Sequence, residues 1–216
     1  MNNEQSYRTL VVECASEACS VALFEAGIVI ANQHLVLGRG HAEKLVPLIA
    51  GLPDKGRAGR ILTSVGPGSF TGVRIGIATA RALGIAWGST VLGYPTLGQV
   101  AATCAQQHGK QAVTVCMKGG HGEWFVQNFA EDLMPQDAVQ SVTPDQAIAL
   151  ARHRRIAGSR ANDLAQLLGD DCEVFDLLPN AASAHFLPDS QLSADLTPIY
   201  GREPDAKLPS ARKAPA

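Results

Sequence analysis

The chain has 216 residues and no CxxC pair. Its five cysteines, Cys14, Cys19, Cys104, Cys116 and Cys172, are scattered. That argues against a zinc ribbon and a thioredoxin-like site. An odd count in a chain of 46% hydrophobic residues fits free, mostly buried thiols in a reducing compartment. Lysine is absent between Lys55 and Lys110. No GxSxG elbow is present, so no serine-hydrolase triad can be assembled. Charge of one sign is also lacking. The net charge of −2 supplies no bulk attraction to nucleic acid, and RNA phosphates would need a local patch or another subunit. The longest apolar runs are interrupted by Gly, Arg or Thr, so no membrane span is expected. The opening "MNNEQSYRTL" shows no basic stretch followed by an apolar run, so no signal peptide is expected and the cytoplasm is the expected compartment.

What is present is an alternation of strand and helix signals. Strands are expected at Thr9 to Ala15, Cys19 to Ala26 and Ile28 to Leu35. A helix fits Gly40 to Leu52, with Leu45, Leu48, Ile49 and Leu52 at helical spacing and Pro47 expected to start or kink its regular part. Ile61 to Val65 is a short strand, followed by a glycine-rich turn and a helix from about Thr71 to Trp87. A strand at "TVLGY" and a helix from Thr96 to Gln107 complete this half.

The second half repeats the order. "QAVTVCMK" and "EWFVQNFA" flank the hairpin signal "GGHG", and Ala138 to Val142 is a weak third strand. "TPDQ" reads as a capping box opening a helix that ends near His153, beside the basic cluster Arg152 to Arg155. That cluster reads as an exposed helix end. "RIAGS", a helix over Arg160 to Leu168, "CEVFDL" and a short helix over Pro179 to Phe186 follow. From Leu187 the composition is Pro-rich and polar and reads as a tail. Each half is thus βββαβαβα. The expected class is α/β with a duplicated actin-like ATPase (ASKHA) fold: an N-terminal domain over 1–108, a smaller C-terminal domain over 109–190, and a tail over 191–216. A doubly wound nucleotide fold would alternate strand and helix from the start.

The segment "VGPGSFTGVRIGIATARALGIAWG" carries the strongest signal. A strand, a glycine turn and a helix start make a good anion site. The P-loop pattern fails for want of lysine, and the dinucleotide pattern fails because residue 71 is Thr. A looser anion or nucleotide site remains, drawn from Glu13, Gly68, Ser69, Phe70, Thr71 and Arg74. The alternative is packing. Gly72, Gly76, Ala80, Gly84 and Gly88 recur every four residues, a ridge that lets another backbone approach closely. Apolar residues on more than one side of the helix call for burial on more than one side, by this chain or by another. Glu13 sits where an actin-like enzyme places its magnesium-binding acid, and it also reads as a solvated strand-end carboxylate. His41 and Glu43 read as a polar first helical turn.

These residues carry a resemblance. "VGPGSFTGVRIGIATARALG" resembles the signature of the bacterial TsaB (YeaZ) family, supported by "VVECASEACSVALFEAG", "GRGHAEKLVPLI", "IAGSRA" and "LTPIYGRE". The resemblance implies the duplicated actin-like fold. It also implies a role in threonylcarbamoylation of the adenosine beside the anticodon of tRNA. In that system the TsaB-like subunit is non-catalytic and supports the catalytic subunit TsaD; TsaE is a further partner and a homodimer an alternative one. Contact with tRNA is indirect. Pairing is implied through the first two helices, here about 40–52 and 71–87, with His41, Leu45, Leu48, Val73, Gly76, Ile77, Ala80 and Gly84 as candidate interface residues. No tightly bound cofactor or metal is expected; ATP or ADP with magnesium is left to an interface of the complex. The chain departs from the family at Glu13-Cys14-Ala15, where Asp-Thr-Ser/Ala is usual. It departs again at Met117-Lys118-Gly119, where Asp-Ala-Arg is usual. Both departures fall at turns that an actin-like ATPase uses for phosphate and magnesium. The competing reading is a nucleotide-binding enzyme of the actin-like class.

Overall fold

The computed structural model describes residues 7–201 except Asp170. The first half runs β1 (Arg8–Glu13), β2 (Ala18–Glu25), β3 (Ile28–Val36), α1 (His41–Ala50), β4 (Arg60–Gly66), α2 (Phe70–Trp87), β5 (Thr90–Pro95) and α3 (Thr96–His108). The second runs β6 (Val113–Lys118), β7 (Trp124–Phe129), β8 (Gln140–Val142), α4 (Pro144–Leu150), β9 (Arg155–Ala157), α5 (Ala161–Leu168) and β10 (Glu173–Phe175). It then ends in 3-10 turns at Ala181–Phe186 and Asp189–Gln191. The sheets have orders β3-β2-β1-β4-β5 and β10-β9-β6-β7-β8. Element for element these are the same order. In each, the first three strands pair antiparallel and the last two add in parallel. Short turns permit the antiparallel meander, and the crossover helices impose the parallel additions. The expected duplicated actin-like fold is the observed one.

The two halves share one core. α3 is buried along nearly its whole length. Leu97, Val100 and Ala101 pack with Val11 and Leu62 from the first sheet and with Val115, Phe125 and Phe129 from the second. The other face of the first sheet is covered by α1 and α2, through Leu45, Leu48, Ile49 and Ala80 on Leu10, Val12 and Leu23. α4 and α5 cover the corresponding face of the second sheet.

Pro47 does not start α1; it lies inside it, and its carbonyl accepts from the Gly51 amide at 3.0 Å. The structure departs from the sequence pattern at three further places. The last short helix is a 3-10 turn. The basic cluster is not an exposed helix end: α4 stops at Leu150, and Arg155 is buried in β9, where it donates to the His108 carbonyl at 2.8 Å and so caps α3. The segment read as a tail is packed as far as Gly201. Ser193 bridges Gly93 on β5, Leu196 is buried with Val65 and Ile77, and the Ile199 amide donates to the Val65 carbonyl at 2.7 Å. The Pro-rich composition removes regular structure without removing burial. The remainder of that segment, 202–216, lies outside the described residues.

The ridge faces inward from Gly72 to Gly84, and Gly88 is exposed as the cap of α2. A Cβ on Gly72 would overlap the Cys14 carbonyl oxygen, one on Gly68 the Ala15 carbonyl oxygen, and one on Gly84 the Val91 side chain. On Gly76 it would come within 3.2 Å of Thr63 Oγ1. The neighbour that approaches closely is this chain's own sheet. All eight candidate interface residues, His41, Leu45, Leu48, Val73, Gly76, Ile77, Ala80 and Gly84, are therefore core residues. Helical spacing marked a face correctly, and the sheet claimed it. Gly72→Ala should lower unfolding free energy by about 1–3 kcal/mol, because backbone must move to admit the methyl. Gly76→Ala should cost less, since the Thr63 hydroxyl can turn aside and helix propensity returns about 1 kcal/mol. Urea denaturation of both variants checks the order; equal stabilities would refute it.

Candidate functional site

Three turns meet where the halves face each other. β1 ends in the turn 15–17, β4 leads through 67–69 into α2, and β6 leads into 118–121. With Arg39, Phe70, Arg74, Phe125 and Tyr200 they enclose a cleft of about 890 Å³. The first two turns are fixed to each other, because the Ser69 amide donates to the Ala15 carbonyl at 2.7 Å. Ser69 also caps α2, its Oγ accepting from the Gly72 amide at 3.2 Å. The Ser69 amide is thereby spent, which leaves those of Phe70 and Thr71 as the helix-start donors available to an anion. Arg74 donates to the Tyr200 hydroxyl at 2.8 Å, and its guanidinium lies 3.3 Å from the centre of the Phe70 ring. Lys118 and Glu17 form an ion pair of 3.3 Å between the halves. Both are partly exposed, so this pair contributes little stability by itself.

The proposed anion set is only partly assembled. Gly68, Ser69, Phe70 and Arg74 line the cleft, and Thr71 sits exposed at the start of α2. Glu13 does not join them. It is fully buried, its carboxylate accepting from the Ala15 amide at 2.7 Å and from the Tyr94 hydroxyl at 3.1 Å. It is neither a solvated strand end nor a carboxylate open to the cleft. It is a clamp that ties the β1–β2 turn to β5. Burial pushes its pKa up to about 7, with the hydrogen bonds from Ala15 and Tyr94 opposing the shift. Burial and the neighbouring Glu13 push the Tyr94 hydroxyl well above its usual range. Arg39, Lys118, His121 and Tyr200 are cleft residues that reading the sequence did not select. The duplication held a usable signal for one of them: Lys118 ends β6, the strand that corresponds to β1. Among the described residues no group of three or more His, Cys, Asp or Glu side chains is placed to hold a metal ion.

A second surface lies on the outside of α1 and α2, which pack side by side on the first sheet. Ala42, Val46 and Ala50 are exposed on α1; Ala82, Ile85 and Ala86 are exposed on α2 and Ala78 is exposed one turn earlier. Val46 is 56% and Ile85 87% exposed. The alanines at 78, 82 and 86 repeat the four-residue spacing of the buried glycines on the opposite side of the same helix. His41, predicted at the interface, instead turns inward, its Nε2 lying 3.2 Å from the Ala18 carbonyl.

Fold and cleft define the class: a duplicated actin-like α/β protein with its turns gathered between the halves. Residues 29–189 match the family described as "TsaD: tRNA N6-adenosine threonylcarbamoyltransferase". The tRNA threonylcarbamoyladenosine biosynthesis protein TsaB of Escherichia coli K12 is 33% identical over 133 residues, 58% of this chain and 56% of that protein. Its namesake in Haemophilus influenzae is 25% identical over 92% of this chain and 94% of its own length. YeaZ from Pseudomonas aeruginosa superposes with a TM-score of 0.76 at 23% identity, over 89% of this chain and 99% of that one, a likeness of fold. The chain belongs to the TsaB/YeaZ family. No described helix is long and apolar enough to cross a membrane.

The Glu13 clamp has a pH signature. Its folded pKa of about 7 lies above the ordinary 4.5, so the protonated form is favoured by folding. Its contribution is complete below about 4.5 and is lost as pH rises through about 7. Glu13→Gln, a neutral isostere, should therefore gain stability relative to the natural chain as pH rises over that window, by up to about 3 kcal/mol at roughly 1.36 kcal/mol per unit. Urea midpoints of both proteins across the window test this; parallel curves would remove the buried ionisable clamp.

Proposed function

We propose that this chain is a non-catalytic partner subunit in tRNA threonylcarbamoyladenosine biosynthesis, binding TsaD for modification of adenosine 37 beside the anticodon. Family membership supports the pathway. The observation that carries the partner role is the exposed apolar face of α1 and α2. A stripe of alanines on two adjacent helices permits close helix-to-helix approach, and Val46 and Ile85 supply larger apolar contacts at its edge. An exposed apolar face of this kind favours an interaction surface over a solvated helix. It would dock two helices of TsaD, or of a second copy of this chain when TsaD is absent. TsaE would join through the assembled complex, and tRNA would be contacted indirectly. ATP or ADP with magnesium would belong to an interface of that complex and not to this chain alone.

The competing reading, a nucleotide-binding enzyme, draws on the cationic cleft. It is weakened by the burial of Glu13, whose carboxylate oxygens are both committed within the chain.

Ile85→Asp and Ala82→Arg should abolish co-elution with TsaD in size-exclusion chromatography. Both positions are exposed, so stability should stay within about 0.5 kcal/mol of the natural chain. An unchanged complex with either variant would overturn the docking face.

A further inference from the structure

Cys14 and Cys19 stand one step beyond Glu13 and Ser20, the last positions paired between β1 and β2. Continuing that register puts the two cysteines opposite each other, with the turn 15–18 between them. Their sulfurs are 3.7 Å apart and both side chains are buried. The other thiols, Cys104, Cys116 and Cys172, are free as well. Cys14 and Cys19 are the two that share a sulfur–sulfur contact among the described residues. Cross-strand neighbours at hairpin register are within the range in which small side-chain rotations bring two sulfurs to bonding distance.

We propose that Cys14 and Cys19 are a reversible dithiol–disulfide modification site whose oxidant is a small hydroperoxide. The Cys19 thiolate attacks the terminal peroxide oxygen. The O–O bond breaks, Cys19 becomes a sulfenic acid, and the departing oxygen leaves as an alcohol or water. The Cys14 sulfur then attacks the Cys19 sulfur. The S–S bond forms, the hydroxide leaves, and it takes the Cys14 proton to become water. Two thiols lose two electrons and two protons, and one peroxide is reduced.

The roles follow from the contact. Either thiol can donate in this contact; with Cys14 as the donor, the bond lowers the pKa of Cys19, while that same bond and burial raise the pKa of Cys14. Cys19 is thus the attacking sulfur and Cys14 the resolving one. Burial slows the first step, and the resolving partner, already in contact, captures the sulfenic acid before a second oxidant arrives.

The placement gives the bond a consequence. The Cys14 carbonyl lies against Gly72 and the Ala15 carbonyl accepts from the Ser69 amide, so the turn being stapled is the one on which α2 rests. Oxidation fixes one wall of the cleft. The dithiol does not depend on the partner-subunit role.

The test treats the full chain with hydrogen peroxide, alkylates the remaining thiols and digests with trypsin. Cleavage after Arg8 and Arg39 places both cysteines in one peptide. The expected product is that peptide unalkylated and lighter by two hydrogens, restored to double alkylation by dithiothreitol. Phenylarsine oxide, which needs two adjacent thiols, should block both without any oxidant. In Cys14→Ser, Cys19 should instead advance to sulfinic acid, with no mass loss of two hydrogens. Double alkylation after peroxide, or irreversible oxidation of single cysteines in the natural chain, would overturn the proposal. If a variant fails to fold, the peptide masses from the natural chain still decide between these outcomes.

Discussion

The contact between the start of α2 and the end of β1 sets the geometry of everything around it. Two backbone carbonyls, those of Cys14 and Ala15, are approached so closely by Gly72 and Gly68 that no side chain fits between. That approach lets the Ser69 amide reach Ala15 and brings the turn after β4 onto the turn after β1. Glu13 fixes the same turn from inside through Ala15 and Tyr94. Helix, strand and turn are therefore one rigid corner. The cleft between the halves is built on that corner, and the outward face of α2 is aimed by it.

The halves are duplicates in topology and not in chemistry. In the first, a buried acid ends the first strand; in the second, the exposed Lys118 ends the corresponding strand. An acid held in the protein interior binds backbone, and a lysine at the rim binds Glu17. The shared core around α3 acts in the same direction. A helix buried by both sheets resists relative motion of the halves, because opening would expose its apolar sides.

Glycine has a different meaning on each part of α2 and the turn before it. At Gly68 and Gly72 it is required by backbone contact, at Gly76 and Gly84 by side chains of the sheet below. Their helix-propensity cost is offset inside the molecule. The alanines at 78, 82 and 86 keep propensity and a small profile together, the combination suited to a face that docks another helix.

Element order, the duplication and the glycine signature were legible in the residues alone. Local propensity, turn residues and hydrophobic period act within a few residues and are written directly in the chain. Which side of α2 meets the sheet was not legible, because two ridges of four-residue spacing lie on opposite sides and periodicity is blind to that choice. Nor was the burial of Glu13, the capping of α3 by Arg155, or the return of residues 193–199 to the first sheet. Each depends on partners far away in the sequence, such as Tyr94 for Glu13 and Val65 for Ile199. Those features belong to the folded molecule, since desolvation and hydrogen-bond partners exist only once the two sheets have closed on α3.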